Sequence, residues 1–166
     1  IRGVAKQPSG LTPSALLPID PPEMSGMAAA VREQLGAQYD RVLRAKNDPA
    51  TSTADLAAVY GAFGNLLLAA DAVARAEPCY LNAHTLAPDD FKWSYYLAHA
   101  YRLQGELEKA APFYEQALAR QPDDLAALVW LGNVYLDQGR PAEAGSLFSK
   151  AVAIQPRNAA AHFGLG

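Results

Sequence analysis

Three histidines, one cysteine and a scatter of carboxylates are the residues of this 166-residue chain that could do chemistry. Histidine moves protons or holds metals near neutral pH. His84, His99 and His162 stand singly, and none has a second His, a Cys or a carboxylate at metal-ligand spacing. Cys79 would need an activating base to act as a nucleophile, and none is evident, so a semi-buried structural thiol is expected. As the chain's one cysteine it can form neither an intrachain disulfide nor a cysteine-built metal cage. The stretch GAFGN, Gly61–Asn65, has two glycines but lacks the Lys-Ser/Thr of a phosphate-binding loop. Glu106, Glu108, Asp123 and Asp124 fall at turns and helix starts, where capping and the helix dipole account for them. These residues assemble no catalytic constellation, no cofactor site and no metal site. The expectation is a protein that binds rather than one that catalyses.

The bulk properties narrow what it binds. A net charge of −3 argues against nucleic acid or an anionic membrane, because both call for a basic surface. No apolar run reaches the roughly 18 residues that a membrane-spanning helix needs. No nucleic-acid partner and no direct membrane insertion are therefore expected. One cysteine suits a cytoplasmic protein and an exported one equally, so the compartment stays open.

The elements that must position a binding surface can be read along the chain. Five of the twelve prolines fall in residues 1–22, which predicts an extended or turned segment; Leu11, Leu16, Leu17 and Ile19 supply apolar anchors for docking it on the remainder. The favoured docking is over the N-terminal edge, as a cap, with occupancy of a binding groove as the alternative. Residues 23–56 hold a helix and its connector. Met27, Val31, Leu35, Tyr39 and Leu43 recur every four residues, predicting a helix over roughly Glu23 to Lys46. Pro49 ends it, and Thr51, Ser52 and Thr53 are candidate caps for the next.

From residue 57 to 166 the chain repeats with a period of 34, in units 57–90, 91–124 and 125–158 and a partial fourth, 159–166. The third unit carries Leu131-Gly132, Tyr135, Gly139, Pro141, Ala144, Phe148, Ala151 and Pro156. The second holds Leu97-Ala98, Tyr101, Gly105, Ala110, Tyr114, Ala117 and Pro122 in the same slots. The first holds Phe63-Gly64, Leu67, Asp71, Ala76, Tyr80, Ala83 and Pro88. Asp71 replaces a turn glycine, and Pro78 and Pro112 fall inside the second helix of their units, where a mild kink is expected.

This pattern resembles the tetratricopeptide repeat, in a bacterial-type form, over about two-thirds of the chain. The slot that holds Trp in the family is filled by Tyr60, Ser94 and Leu128 instead. The resemblance implies an all-α, right-handed superhelical solenoid of antiparallel helix pairs, A and B, here preceded by an extra helix and the proline-rich segment. It also implies that slots 2, 5, 9 and 12 of each A helix face a concave groove. Those slots hold Ala58, Gly61, Asn65 and Leu68, then Lys92, Tyr95, His99 and Arg102, then Ala126, Val129, Asn133 and Leu136; Phe163 is slot 5 of the partial unit, and slot 6 adds Tyr96 and Trp130. The candidate peptide-binding groove is thus Asn65, Lys92, Tyr95, Tyr96, His99, Arg102, Val129, Trp130, Asn133 and Phe163, with Asn suited to backbone amides, Tyr to contact area and Arg to a carboxylate. The carboxylate clamp of chaperone-binding relatives is absent: of its slots only Asn65 matches, and the others hold Gly61, Tyr96, Ala126 and Trp130. A protein-interaction scaffold is the primary expectation. The alternatives are a substrate-recruiting region of a longer enzyme and a module that self-assembles through its last repeat or its N-terminal segment. A chain that stops inside a fourth unit is expected to continue.

Overall fold

The computed structural model describes residues 16–166, so Leu11 lies outside the described residues. Among the described residues it contains eight helices and no strand: α1 (Ala29–Asn47), α2 (Thr53–Ala69), α3 (Val73–Leu86), α4 (Phe91–Leu103), α5 (Leu107–Arg120), α6 (Leu125–Asp137), α7 (Pro141–Ile154) and α8 (Ala159–Leu165). No described helix is long and apolar enough to cross a membrane. Each helix packs on the next, and α6 also touches α8. The A helices are α2, α4, α6 and α8; the B helices α3, α5 and α7 form the other layer.

Helix starts follow the short polar side chains. Ser52, Asp90, Asp124 and Asn158 each accept a backbone N–H of the first turn, from Asp55, Lys92, Ala127 and Ala161. Three of these caps share one repeat slot. Ser52 lies a turn earlier, so α2 begins at Thr53 rather than at residue 57. The A helices end alike. Asp71, Gly105 and Gly139 adopt φ of 59°, 76° and 71°. Each donates its N–H three residues back, and the following N–H reaches five residues back, as in Asp71 to Leu68 and Ala72 to Leu67, at 3.0 and 2.9 Å. This double-bonded stop needs a left-handed residue, and Asp71 fills it where glycine stands in the other two units.

The core forms where small and large slots meet. A Cβ on Gly64 would lie 2.7 Å from the Tyr80 ring, and one on Gly132 would lie 2.6 Å from Phe148. Tyr60, Tyr80, Tyr114 and Phe148 are fully buried, as are Ala76, Ala110 and Ala144. Adjacent repeats interlock by a contact that the repeat pattern hides. Trp93 of α4 lies on Gly61 of α2 so closely that a Cβ there would stand 2.0 Å from the ring. Gly61 is therefore covered, not a groove position. Pro78 and Pro112 sit inside α3 and α5, which run unbroken through them.

Two N-terminal expectations are corrected in detail. The first helix begins at Ala29, not near Glu23. Gly26 adopts φ 76° and Ser25 turns back onto the Glu23 carboxylate, which together stop the helix from extending upstream. The described residues before it, 16–22, dock on α3, a B helix. Asn82 grips the backbone of Leu17 with both ends of its amide: the Leu17 N–H donates to Oδ1 at 2.7 Å, and Nδ2 donates to the Leu17 carbonyl at 2.9 Å. Arg75 donates to the Pro21 carbonyl at 2.9 Å. Leu16 and Ile19 pack against the core and Pro22 is buried, whereas the Leu17 side chain is exposed. Lys150, in the slot of Asn82 two units on, donates to the carbonyl of Pro122 in the turn that closes the preceding unit. The strap thus takes the place of a preceding repeat on α3.

Candidate functional site

The most polar and aromatic part of the A layer is α4 with the facing side of α6. The Asp90 cap fixes where α4 starts. Spacings of four, four and three then put Phe91, Tyr95, His99 and Arg102 on one helical face. The rings run in sequence. Phe91 and Tyr95 stack at 5.6 Å between centroids, Tyr95 and His99 lie nearly parallel at 6.3 Å, and His99 meets the edge of Trp130 at 5.9 Å. The Arg102 guanidinium lies over the Trp130 ring, 3.9 Å from its centroid. From α5, Tyr114 supports the row beneath, 5.8 Å from Tyr95.

The electrostatics of this cluster are set by burial. Desolvation is the main cause holding the His99 pKa below its ordinary value, and the nearby Arg102 charge adds to it, so the imidazole is neutral at pH 7. Burial pushes the Tyr95 hydroxyl up, aided by the Asp124 carboxylate. It pushes the Tyr114 hydroxyl up further, although the Arg102 charge pulls the other way. Nδ1 of His99, Nε of Arg102 and the Tyr114 hydroxyl are all buried without a hydrogen-bond partner among the described residues. Arg102 also forms no ion pair there. Arg102 and the Tyr114 hydroxyl approach closely enough to interact as a hydrogen-bonding pair, which offsets part of the about 1–3 kcal/mol that an unmatched buried donor or acceptor costs.

The remaining candidates spread outward. Tyr96 stacks on Tyr80 at 5.4 Å, and the Tyr80 hydroxyl donates to Oδ1 of Asn65, extending the aromatic surface to α2. Asn133 follows Trp130 on α6, half-buried and with no side-chain hydrogen bond among the described residues. Val129 is buried within the stack and shapes the floor without opening to it. Lys92 is exposed, ion-paired with Asp90 at 3.3 Å and set over the ring of Trp93, apart from the row of rings. Phe163, on α8, is 89% exposed and meets no ring of the cluster. Sequence reasoning missed Phe91 and Tyr114. Phe91 extends the i, i+4 row that begins at Tyr95. Tyr114 reads as a packing slot, and only its hydroxyl, absent from Phe148 in the same slot, hints at more.

The other reactive groups are accounted for structurally. Cys79 is fully buried, its thiol pushed up to about 12 by desolvation. No group of three or more His, Cys, Asp or Glu among the described residues could hold a metal ion.

Two family models, both of the tetratricopeptide repeat, match residues 61–119 and 102–165. The chain belongs to the tetratricopeptide repeat family. No curated protein matches it significantly. Solved structures of similar fold include the tetratricopeptide domain of Arabidopsis OM64, at TM-score 0.66 and 18% identity, covering 69% of this chain and 94% of that one. The second such domain of human RPAP3, solved in complex with an HSP70 peptide, aligns at TM-score 0.61 and 22% identity over 64% of this chain and 88% of its own. YrrB, described as having an unusual peptide-binding site, aligns at TM-score 0.66 and 19% identity over 81% of this chain and 67% of its own.

Proposed function

We propose that this chain is a protein-interaction scaffold that holds an extended segment of its partner across α4 and α6. The observation that carries this reading is the row Tyr95–His99–Trp130–Arg102, half-open to solvent and backed by three buried polar atoms without partners. Rigid aromatic side chains offer large contact area at little entropic cost, and an arginine stacked on a ring is held in place with its N–H edge free. The helical-repeat relatives solved with peptides support the same mode of use.

Selection from a random peptide library on the wild-type protein tests it. Selected peptides should lose most of their affinity for Trp130→Ala and keep it for Arg140→Ala. Arg140 is a fitting control, since its guanidinium also lies 3.9 Å from a ring centroid, that of Tyr135, but in a turn and paired with Glu143. Peptides that bind Trp130→Ala as tightly as wild type would overturn the reading.

A further inference from the structure

We infer that α3, in the B layer, carries a second ligand seat, built for a proline-rich segment in the extended polyproline II form. Residues 16–22 are its resident occupant, and a partner segment of the same pattern exchanges with them. The seat is separate from the α4–α6 groove and does not depend on it. Its ground is the manner in which residues 16–22 are held. Leu16 and Ile19 pack against the core and Pro22 is buried, while Leu17, Pro18, Asp20 and Pro21 between them are exposed. An inward residue at every third position is the period of the polyproline II helix, which has about three residues per turn and no internal hydrogen bonds. Pro18, Pro21 and Pro22 favour that form. Among the described residues, every hydrogen bond of the segment goes to α3.

The seat is one stripe of α3. Arg75, Cys79 and Asn82 follow at spacings of four and three and so share a helical face. Arg75 holds the Pro21 carbonyl, and Asn82 holds the N–H and carbonyl of Leu17. Cys79, between them, is fully buried, whereas Phe113 and Leu147 in its slot of the later units are only half-buried. The same face of α7 is already engaged: Glu143 pairs with Arg140, and Lys150 with Asp123 and the Pro122 carbonyl. The α3 seat therefore takes main-chain groups and three inward side chains, contacts that any segment of the same form can make. The pattern it selects is an apolar residue, a second one three positions on and a proline three beyond that. The residue after the first apolar one must keep its N–H for Asn82, so it is not proline, but its side chain is free to vary because that of Leu17 points outward. Emptying the seat would strip both ends of a buried amide of their partners, which favours refilling. Prolines lower the entropy lost when the segment binds. The resident strap competes from the same chain, at an effective concentration on the order of millimolar for a short link, so a partner gains entry chiefly when the strap is loosened.

The test uses the full chain and a fluorescein-labelled peptide with the sequence of residues 14–23, read by fluorescence polarisation. Leu16→Asp with Ile19→Asp loosens the strap and leaves the seat intact. Leu17→Pro does so more mildly, by removing the N–H that Asn82 accepts, and replaces the double variant if that one loses its cooperative unfolding. The peptide should bind the loosened chain roughly tenfold or more tightly than wild type, whose seat is filled from within. Adding Asn82→Ala should remove that gain, and adding Trp130→Ala should leave the affinity within about twofold, because α6 takes no part. In the peptide, Leu17→Pro should weaken binding roughly tenfold, and Leu17→Ala should change it by less than about twofold. No binding to either loosened chain would overturn the seat, and so would a gain that survives Asn82→Ala. Binding lost on Trp130→Ala but kept on Asn82→Ala would put the peptide in the α4–α6 groove and overturn the seat while leaving the groove standing. A wild-type dimer in sedimentation that Leu17→Pro dissolves would make a second copy's strap the occupant and overturn exchange with a partner.

Discussion

Asn82→Ala should unfasten the N-terminal strap, and the size of the effect follows from the contacts. The Asn82 side chain is 1% exposed and makes two hydrogen bonds, 2.7 and 2.9 Å long, to the backbone of Leu17, 65 positions away. At about 0.5–1.5 kcal/mol each, their loss costs roughly 1–3 kcal/mol. For a chain of this length about 1 kcal/mol moves the melting temperature by about 2–4 °C, so a fall on the order of 2–12 °C is expected. Asn82→Asp should cost more, because it sets a second acceptor against the Leu17 carbonyl and a charge at a buried position. Arg75→Ala, which removes one bond at an exposed position, should cost less. The decisive comparison is a double-mutant cycle read by urea unfolding. Deleting residues 1–20 should itself destabilise, and Asn82→Ala in that background should add less than about 0.5 kcal/mol, since its partner is gone. Peptide binding in the groove should be unchanged throughout, because residues 16–22 of the strap dock on α3, on the B-helix side. A fully additive cycle, or a neutral Asn82→Ala, would refute the strap as a cap held by this amide. A gain in peptide affinity on deletion would show that the strap reaches the groove after all.

Three further outcomes follow from the packing. Asp71→Gly should stabilise by about 0.5–1 kcal/mol, because Asp71 sits at φ 59°, is exposed and makes no side-chain bond among the described residues; an unchanged urea midpoint would count against strain at that turn. Phe148→Ala should cost about 3–5 kcal/mol, since the ring is fully buried between Gly132 and Gly164; an unchanged melting curve would show the repeat register to be wrong. Cys79 should react with a thiol reagent at pH 8 only as fast as the chain opens, with its thiol raised from an ordinary 9 to about 12; the folded thiol stays protonated between those values while the unfolded one ionises, so its contribution to stability falls as pH rises through that window. Rapid labelling of the native chain would contradict this.

The fold was legible because each unit cannot bury its apolar face alone and so repeats the same slots. Gly64 with Tyr80 and Gly132 with Phe148 are one packing solution written twice, and Asp71 was marked by the glycines at Gly105 and Gly139. Contacts that break the repeat were not legible. Trp93 covers Gly61 because one slot of α4 meets one slot of α2, a pairing that no spacing within a helix announces. Asn82 carries no mark in the repeat pattern; it is buried by a strap 65 residues away, whereas Gln116 and Lys150 in the same slot are exposed. The start of α1 was obscured because Met27 continues the apolar stripe upstream of Ala29, where the helix begins, while Gly26 just before it has a positive φ. Of the candidate groove residues, the spacing on α4 brought Tyr95, His99 and Arg102 to one face, while their meeting with Trp130 and Tyr114 depends on how neighbouring helices stack.

The central claim is that a partner segment lies across α4 and α6, and photocrosslinking tests it most directly. A library-selected peptide carrying a benzophenone at each position in turn is irradiated on the wild-type protein, and the adducts are mapped by mass spectrometry. The account predicts adducts confined to the A-helix face, at Tyr95, Tyr96, Trp130, Asn133 and their neighbours, suppressed by Arg102→Ala and unaffected by Arg140→Ala. Adducts centred on the outer faces of α3, α5 or α7 would contradict it.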